Sequence, residues 1–206
     1  MISKSATFLA VLMFSLTLWA NNIGFQTNGG QISSNGSSLT VRSSTLVSLN
    51  GMSGAGTMMG DLGVVSFSTG ALTAGSLAEG GVFARGGSFS MVGNGSNGLA
   101  KGVVFKGQFS GPVKWTATFV PSAGGGTGRW YYSLSGDIAG ILSTGQRLSG
   151  KVRFSTTDVA RGQRFSDLAN LSGGTGLVAV PEPGTLGLLA SGLFGVAVLV
   201  RRRMGV

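Results

Sequence analysis

Cysteine and histidine are absent from the sequence, and only six of the 206 residues are aspartate or glutamate. The absence of cysteine excludes disulfide bonds. Without either residue type, the common nucleophile–base pairs and the usual ligands of zinc sites are also missing. We therefore expect a protein that is not an enzyme, with no catalytic residues, no metal site and no cofactor.

Five of the six acidic residues lie between the apolar ends of the chain, and their spacing indicates no carboxylate site. There is no Asp-x-Asp run for calcium, and the glycine run at 124–126 lacks the Lys-Ser/Thr of a phosphate-binding loop. We interpret these acids as turn or surface residues, and Asp137, which follows Gly136 and begins a strand, as a turn residue. A secreted hydrolase with two carboxylates facing each other at about 5–10 Å is the least favoured alternative. The five acids are Asp61, Glu79, Asp137, Asp158 and Asp167.

Short β-branched and aromatic segments separated by glycine-rich turns dominate the middle of the chain. Residues 113–120 alternate between apolar and polar side chains, which indicates a half-exposed antiparallel strand. Between residues 21 and 165 no stretch has the 3.6-residue period of a helix. We therefore predict a mainly β domain over 21–171, built as an antiparallel β-sandwich or a barrel-like sheet. The other predicted strand segments are 38–50, 62–68, 81–92 (two half-strands), 99–110, 130–135, 138–143 and 147–156.

The segment that follows this domain is rich in glycine and serine. Residues 172–179 have the sequence SGGTGLVA, a composition typical of a flexible linker. We predict a Gly/Ser linker that separates the β domain from the C-terminal segment.

A cation and three aromatic residues stand together at Arg129, Trp130, Tyr131 and Tyr132. Aromatic rings on a sheet can hold sugar rings, and residues 21–179 carry 11 basic against five acidic residues, a net charge of +6. That charge would favour an acidic exopolysaccharide. The alternative is that Trp130 and Tyr132, or else Tyr131, belong to the core. No nucleic acid is expected, because the basic residues are scattered.

The C-terminal segment combines a proline motif, an apolar run and a basic end. Residues 184–200 would form a helix about 25 Å long, just enough to span a hydrocarbon core of about 30 Å. Arg201, Arg202 and Arg203 follow it and place this end in the cytoplasm by the positive-inside rule. The prolines at 181 and 183 keep the tripeptide 181–183 extended and exposed on the other side. An ordinary membrane anchor with a proline-rich hinge is the alternative.

Taken together, these features make residues 180–206 resemble a PEP-CTERM sorting signal. The resemblance implies that Pro181, Glu182 and Pro183 are the recognition motif, and that Arg201, Arg202 and Arg203 are the basic end. It also implies processing by an exosortase, a membrane transpeptidase-like enzyme of Gram-negative bacteria that export polysaccharide. The protein would then be anchored in the inner membrane before processing, and at the cell surface or outside the cell afterwards.

The N-terminal segment has the anatomy of a secretory signal peptide. Lys4 precedes an apolar run that ends at Ala20, where cleavage would occur, although Leu18 is bulky for the position two residues before it. We predict a signal helix over 1–20 and export by the Sec machinery, with an uncleaved N-terminal anchor as the alternative.

These features together suggest an exported, non-catalytic surface or extracellular-matrix protein. A carbohydrate-binding or adhesin module associated with exopolysaccharide is the second hypothesis. Three or more exposed aromatic side chains on one sheet face would favour the second hypothesis.

Overall fold

The computed structural model describes residues 22–52, 56–122, 128–157 and 162–179, together with Gly192. Apart from Gly192, these residues lie in one compact unit, Asn21–Val180, and residues 1–20 and 181–206 are assigned to a second unit. The predicted signal helix over 1–20 lies outside the described residues, as does the predicted transmembrane helix over 184–200 apart from Gly192. Within the described ranges, no helix has the length and apolar character needed to cross a membrane.

The described residues form twelve strands, all paired in the antiparallel sense, so the prediction of a mainly β antiparallel fold is confirmed. The strands are β1 Asn22–Asn28, β2 Gln31–Ser34, β3 Leu39–Asn50, β4 Met58–Ser68, β5 Leu72–Ser76, β6 Gly80–Phe83, β7 Gly86–Gly93, β8 Gly102–Phe109, β9 Val113–Val120, β10 Arg129–Leu142, β11 Arg147–Thr156 and β12 Leu168–Ala179.

Eight of these strands pair in a closed circuit. The order is β1, β3, β4, β7, β8, β10, β11 and β12, and β12 pairs again with β1. Strand β2 has the same two partners as β1, and it pairs with the N-terminal parts of β3 and β12. Strands β9, β6 and β5 form a branch from the N-terminal half of β10. Of the two predicted architectures, this closed pairing corresponds to the barrel-like sheet.

Phenylalanine side chains fill the inside of the closed sheet. Neighbouring rings lie with their centroids between 4.6 and 6.4 Å apart, a range in which aromatic pairs attract each other. A void of about 10 Å³ remains near Phe25 and Phe105, too small to hold a ligand. The interior is therefore a packed core, as expected for a small closed sheet. The buried rings in these pairs are Phe25, Phe67, Phe89, Phe105, Phe109 and Phe154.

The predicted linker over 172–179 is wrong, because these residues form most of β12. They pair with β1 on one side and with β11 on the other, so the β unit extends to the end of this segment and not to residue 171. Glycine is required here by the core: a Cβ on Gly174 would collide with the ring of Phe154, and one on Gly176 with the ring of Phe25.

The predicted turn at Asp137 is also wrong, because β10 continues through it from Arg129 to Leu142. Asp137 is an exposed residue in the middle of the strand and lies opposite Lys151 of β11. Their charged groups are 3.9 Å apart, an exposed ion pair that contributes little to stability. The two segments predicted over 130–135 and 138–143 are therefore one long strand.

Candidate ligand-binding site and C-terminal sorting motif

The four residues singled out at the start of β10 are divided between the two faces of the sheet. Tyr132 faces the core and is 1% exposed, whereas Tyr131 faces outwards and is 37% exposed. Trp130 is half-buried and packs against the core from the same face as Tyr132. Arg129 alternates with them and shares the outer face with Tyr131. The group is therefore not one continuous surface, and its role in binding stays a prediction.

Tyr132 holds together segments that are distant in the sequence. Its ring stacks on Trp115 at 5.1 Å and lies 5.8 Å from Phe165. Its hydroxyl donates to the carbonyl of Ala78 (2.8 Å) and accepts from the backbone N–H of Phe165 (3.0 Å). Burial raises the pKa of Tyr132, and the N–H of Phe165 opposes that shift. This side chain joins the β5–β6 turn to the segment before β12, which is a structural role.

Trp130 lies at the rim of this cluster and already has neighbours on its ring. The guanidinium carbon of Arg164 lies 5.0 Å from the ring centroid, and Phe119 packs beside it at 5.1 Å. Arg164 is itself paired with Glu79. Phe119, 46% exposed, is cross-strand to Trp130 and so lies on the face opposite Tyr131. Among the described residues, three exposed aromatic side chains do not come together on one sheet face.

An open groove of about 610 Å³ crosses the outer face of β9, β10 and β11. A second depression, of about 300 Å³, crosses β11, β12 and β1, and the two share Arg153, Ser155 and Ser172. The linings contain hydroxyl groups, one guanidinium and one exposed tyrosine, and no aspartate or glutamate. We call the two depressions together the outer groove, and its lining includes Gln26, Thr118, Tyr131, Ser133, Arg153, Ser155, Ser172 and Thr175.

Sequence reasoning identified Tyr131 but missed the other residues of this groove. Ser133, Arg153, Ser155 and Ser172 stand on three strands and meet only through the pairing register. Their one signal in the sequence is the alternation of polar with buried residues along β11, where Val152 and Phe154 face the core.

The described acidic residues contact different neighbours. Asp61 accepts from the amide of Asn94 at 3.0 Å, Glu79 pairs with Arg164, and Asp137 lies near Lys151. In the part of the chain that the structure describes, no group of three acidic residues could hold a metal ion. Asp158 lies outside the described residues.

The predicted recognition motif and basic end, Pro181 to Pro183 and Arg201 to Arg203, lie outside the described residues. The last strand nevertheless ends at Ala179, so only Val180 separates it from the motif in the sequence. No curated protein and no solved structure is significantly similar to the chain. Residues 179–203 match the family described as PEP-CTERM protein-sorting motif, which confirms the resemblance drawn from residues 180–206: the chain carries a PEP-CTERM signal.

Proposed function

We propose that this protein is an exported, non-catalytic surface or extracellular-matrix protein, which an exosortase recognises through its C-terminal tail and processes. The observation that carries the proposal is the PEP-CTERM match over residues 179–203, which supports export and exosortase processing. Pro181, Glu182 and Pro183 are the residues that the enzyme would recognise, in an extended conformation that the two prolines favour.

The apolar run after the motif favours membrane insertion only modestly, which suits a temporary membrane anchor. Nine of the fifteen residues over 186–200 are Leu, Phe or Val, which together favour membrane insertion by about 3–5 kcal/mol. Gly187, Gly192 and Gly195 add little to this. The tail would thus hold the exported domain at the inner membrane until it is processed, and the domain would then pass to the cell surface or the extracellular matrix.

The filled interior of the β unit supports a structural role for the released domain. Its core is a continuous set of buried apolar side chains, and the described acids are dispersed among different neighbours. We therefore assign the domain no reaction.

Substitution of the recognition motif tests the proposal. In a host that has the cognate exosortase, Glu182→Gln or the double change Pro181→Ala with Pro183→Ala should leave export intact but retain the protein in the inner membrane. Cell fractionation and mass spectrometry of the mature C-terminus measure both steps, with Met204→Ala as a control in the same tail. Normal processing of the motif variants, or a mature wild-type protein that still carries Arg201 to Arg203, would overturn the proposal and leave an ordinary anchor.

A further inference from the structure

We propose that the outer groove across β9, β10, β11, β12 and β1 binds an acidic polysaccharide whose sugar rings carry carboxylates. The inference concerns the folded β unit and goes beyond the sorting function. It holds or fails independently of C-terminal processing.

The register aligns one polar residue from each of five neighbouring strands. Lys114 pairs with Ser135, Ser135 with Arg153, Arg153 with Thr175, and Thr175 with Gln26. At about 4.8 Å between strands, this row is about 19 Å long. Arg153, Thr175 and Gln26 line the second depression, and Ser135 and Lys114 continue the row on the same face outside both linings. A chain ligand lying across the strands would therefore meet a row of polar side chains with a cation at its centre and another at its end.

The neighbouring row supplies hydroxyl groups and includes a glycine that leaves the groove unobstructed. Ser133 lies opposite Ser155, and Ser155 lies opposite Gly173, which has no side chain to obstruct the groove. The Ser172 hydroxyl donates to the carbonyl of Ser155 at 2.9 Å, so its lone pairs stay available as acceptors. Hydroxyl groups that donate and accept match the chemistry of sugar hydroxyls.

Arg153 and Tyr131 give the groove its selectivity. Arg153 is exposed and lines both depressions, and a guanidinium binds a carboxylate through two parallel hydrogen bonds. Tyr131 offers an exposed ring with a polar tip at one end of the groove. Neither lining contains a carboxylate. The exposed Asp137, two residues along β10 from Ser135, lies 3.9 Å from Lys151, which offsets its charge, so an anionic chain meets little repulsion there.

A nucleic acid fits this surface less well than a glycan. Binding of nucleic acid depends on many phosphate contacts from clustered cations and, for single strands, on several stacked aromatic rings. The linings contain one arginine and one exposed aromatic ring among their hydroxyl groups, Tyr132 being buried. One arginine among many hydroxyl groups favours a ligand with sparse charge and many hydroxyl groups of its own.

Isothermal titration calorimetry of the full-length protein in detergent tests the proposal, with polygalacturonate fragments, neutral dextran and single-stranded oligothymidine as probes. Polygalacturonate should bind at least tenfold more tightly than dextran, and its affinity should fall as salt is added. Arg153→Gln should weaken that binding about tenfold. Arg147→Gln is the matched control, because Arg147 is an exposed arginine of the same strand that lies outside both linings, and it should change the affinity less than about twofold.

A second pair of variants keeps the test decisive if Arg153→Gln does not fold. Tyr131→Ala should weaken polygalacturonate binding several-fold, and Phe119→Ala, on the opposite face, should not. Equal losses in the Arg153 and Arg147 variants, equal binding of dextran, or no binding of polygalacturonate would each overturn the proposal. The proposal would also be overturned if oligothymidine bound more tightly than polygalacturonate and Arg153→Gln weakened that binding. That result would assign the groove to nucleic acid.

Discussion

At the residue scale, the core depends on glycines that face phenylalanine rings. Gly176 lies cross-strand from Phe25, and Gly174 from Phe154, and in each pair the ring occupies the space in which a Cβ would stand. A cross-strand aromatic ring that covers a glycine restores the apolar packing that the glycine lacks. These glycines thus make room for large rings inside a small closed sheet.

Gly176→Ala should overfill the core and lower the free energy of unfolding by about 1–3 kcal/mol. Denaturant unfolding measures this. Gly111→Ala is the control, since a Cβ there would meet Asp137 at an ordinary 3.6 Å. The double variant with Phe25→Leu should lose less unfolding free energy than the two single variants lose together, because the smaller side chain leaves room for the methyl group. Full additivity would contradict the proposed contact.

Ionisation of Tyr132 makes the stability of the folded state depend on pH in the alkaline range. Its pKa is raised in the folded protein by burial, so the folded state keeps a proton that the unfolded state releases near pH 10. The unfolded state then binds fewer protons than the folded state, and stability falls as the pH rises above about 10. The stability that protonated Tyr132 contributes to the folded state is fully present below about pH 10.

Tyr132→Phe should therefore remove part of the loss of stability at high pH. At neutral pH it should cost about 1–3 kcal/mol, because the carbonyl of Ala78 and the N–H of Phe165 lose their partner. Thermal melts between pH 7 and 11 measure both effects, and Tyr131→Phe on the outer face serves as the control. An unchanged alkaline slope in Tyr132→Phe would show that another group causes it.

At the element scale, two strands with clear alternation were predicted residue for residue, whereas β1, β2, β5 and the glycine-rich β12 were not predicted. The segments 113–120 and 147–156 match β9 and β11 residue for residue, because alternating apolar and polar side chains define them. In β12 the inward positions 174 and 176 are glycines, so the sequence shows no alternation and resembles a linker. The apolar side chains that cover these inward positions are Phe25 and Phe154, which belong to neighbouring strands.

The candidate site was predictable only in part, for a related reason. Composition identified the aromatic group at 129–132, but the partners of Tyr131 on the outer face come from strands that are distant in the sequence. Arg153 and Tyr131 line one groove because β10 and β11 pair in one particular register, and a shift by one residue would turn each side chain to the core.

The strand structure of β12 bears on how the sorting motif is presented. Since Ala179 is still paired with Asn22 and Ser149, only Val180 precedes the motif, and the spacer predicted there is absent. Inserting five Gly/Ser residues after Ala179 should therefore raise the rate of exosortase processing several-fold, as measured by pulse–chase labelling. The same insertion in the β10–β11 turn at 143–146 is the control and should leave the rate unchanged. Equal rates for the wild type and the tail insertion would show that the strand does not limit access.

At the scale of the whole molecule, the first and last of the described strands are neighbours. Asn22 at the start of β1 lies opposite Ala179 at the end of β12, and cross-strand Cα atoms are about 4.5–5.5 Å apart. Strand β12 also pairs with β11 and β2, so it completes the closed circuit. Closure leaves no free edge among these eight strands for another chain to pair with.

This adjacency predicts that the β unit tolerates circular permutation. A short glycine turn joining Ala179 to Asn22, with new ends opened in the β10–β11 turn at 143–146, keeps every strand pair and should give a folded, cooperatively melting protein. New ends between Gly136 and Asp137 should not, because β10 holds β8, β9 and β11 together there. Circular dichroism and thermal melting compare the two permutants. Failure of the first permutant to fold would contradict the closure of the sheet by β1 and β12, and equal melting of the two would contradict the central place of β10.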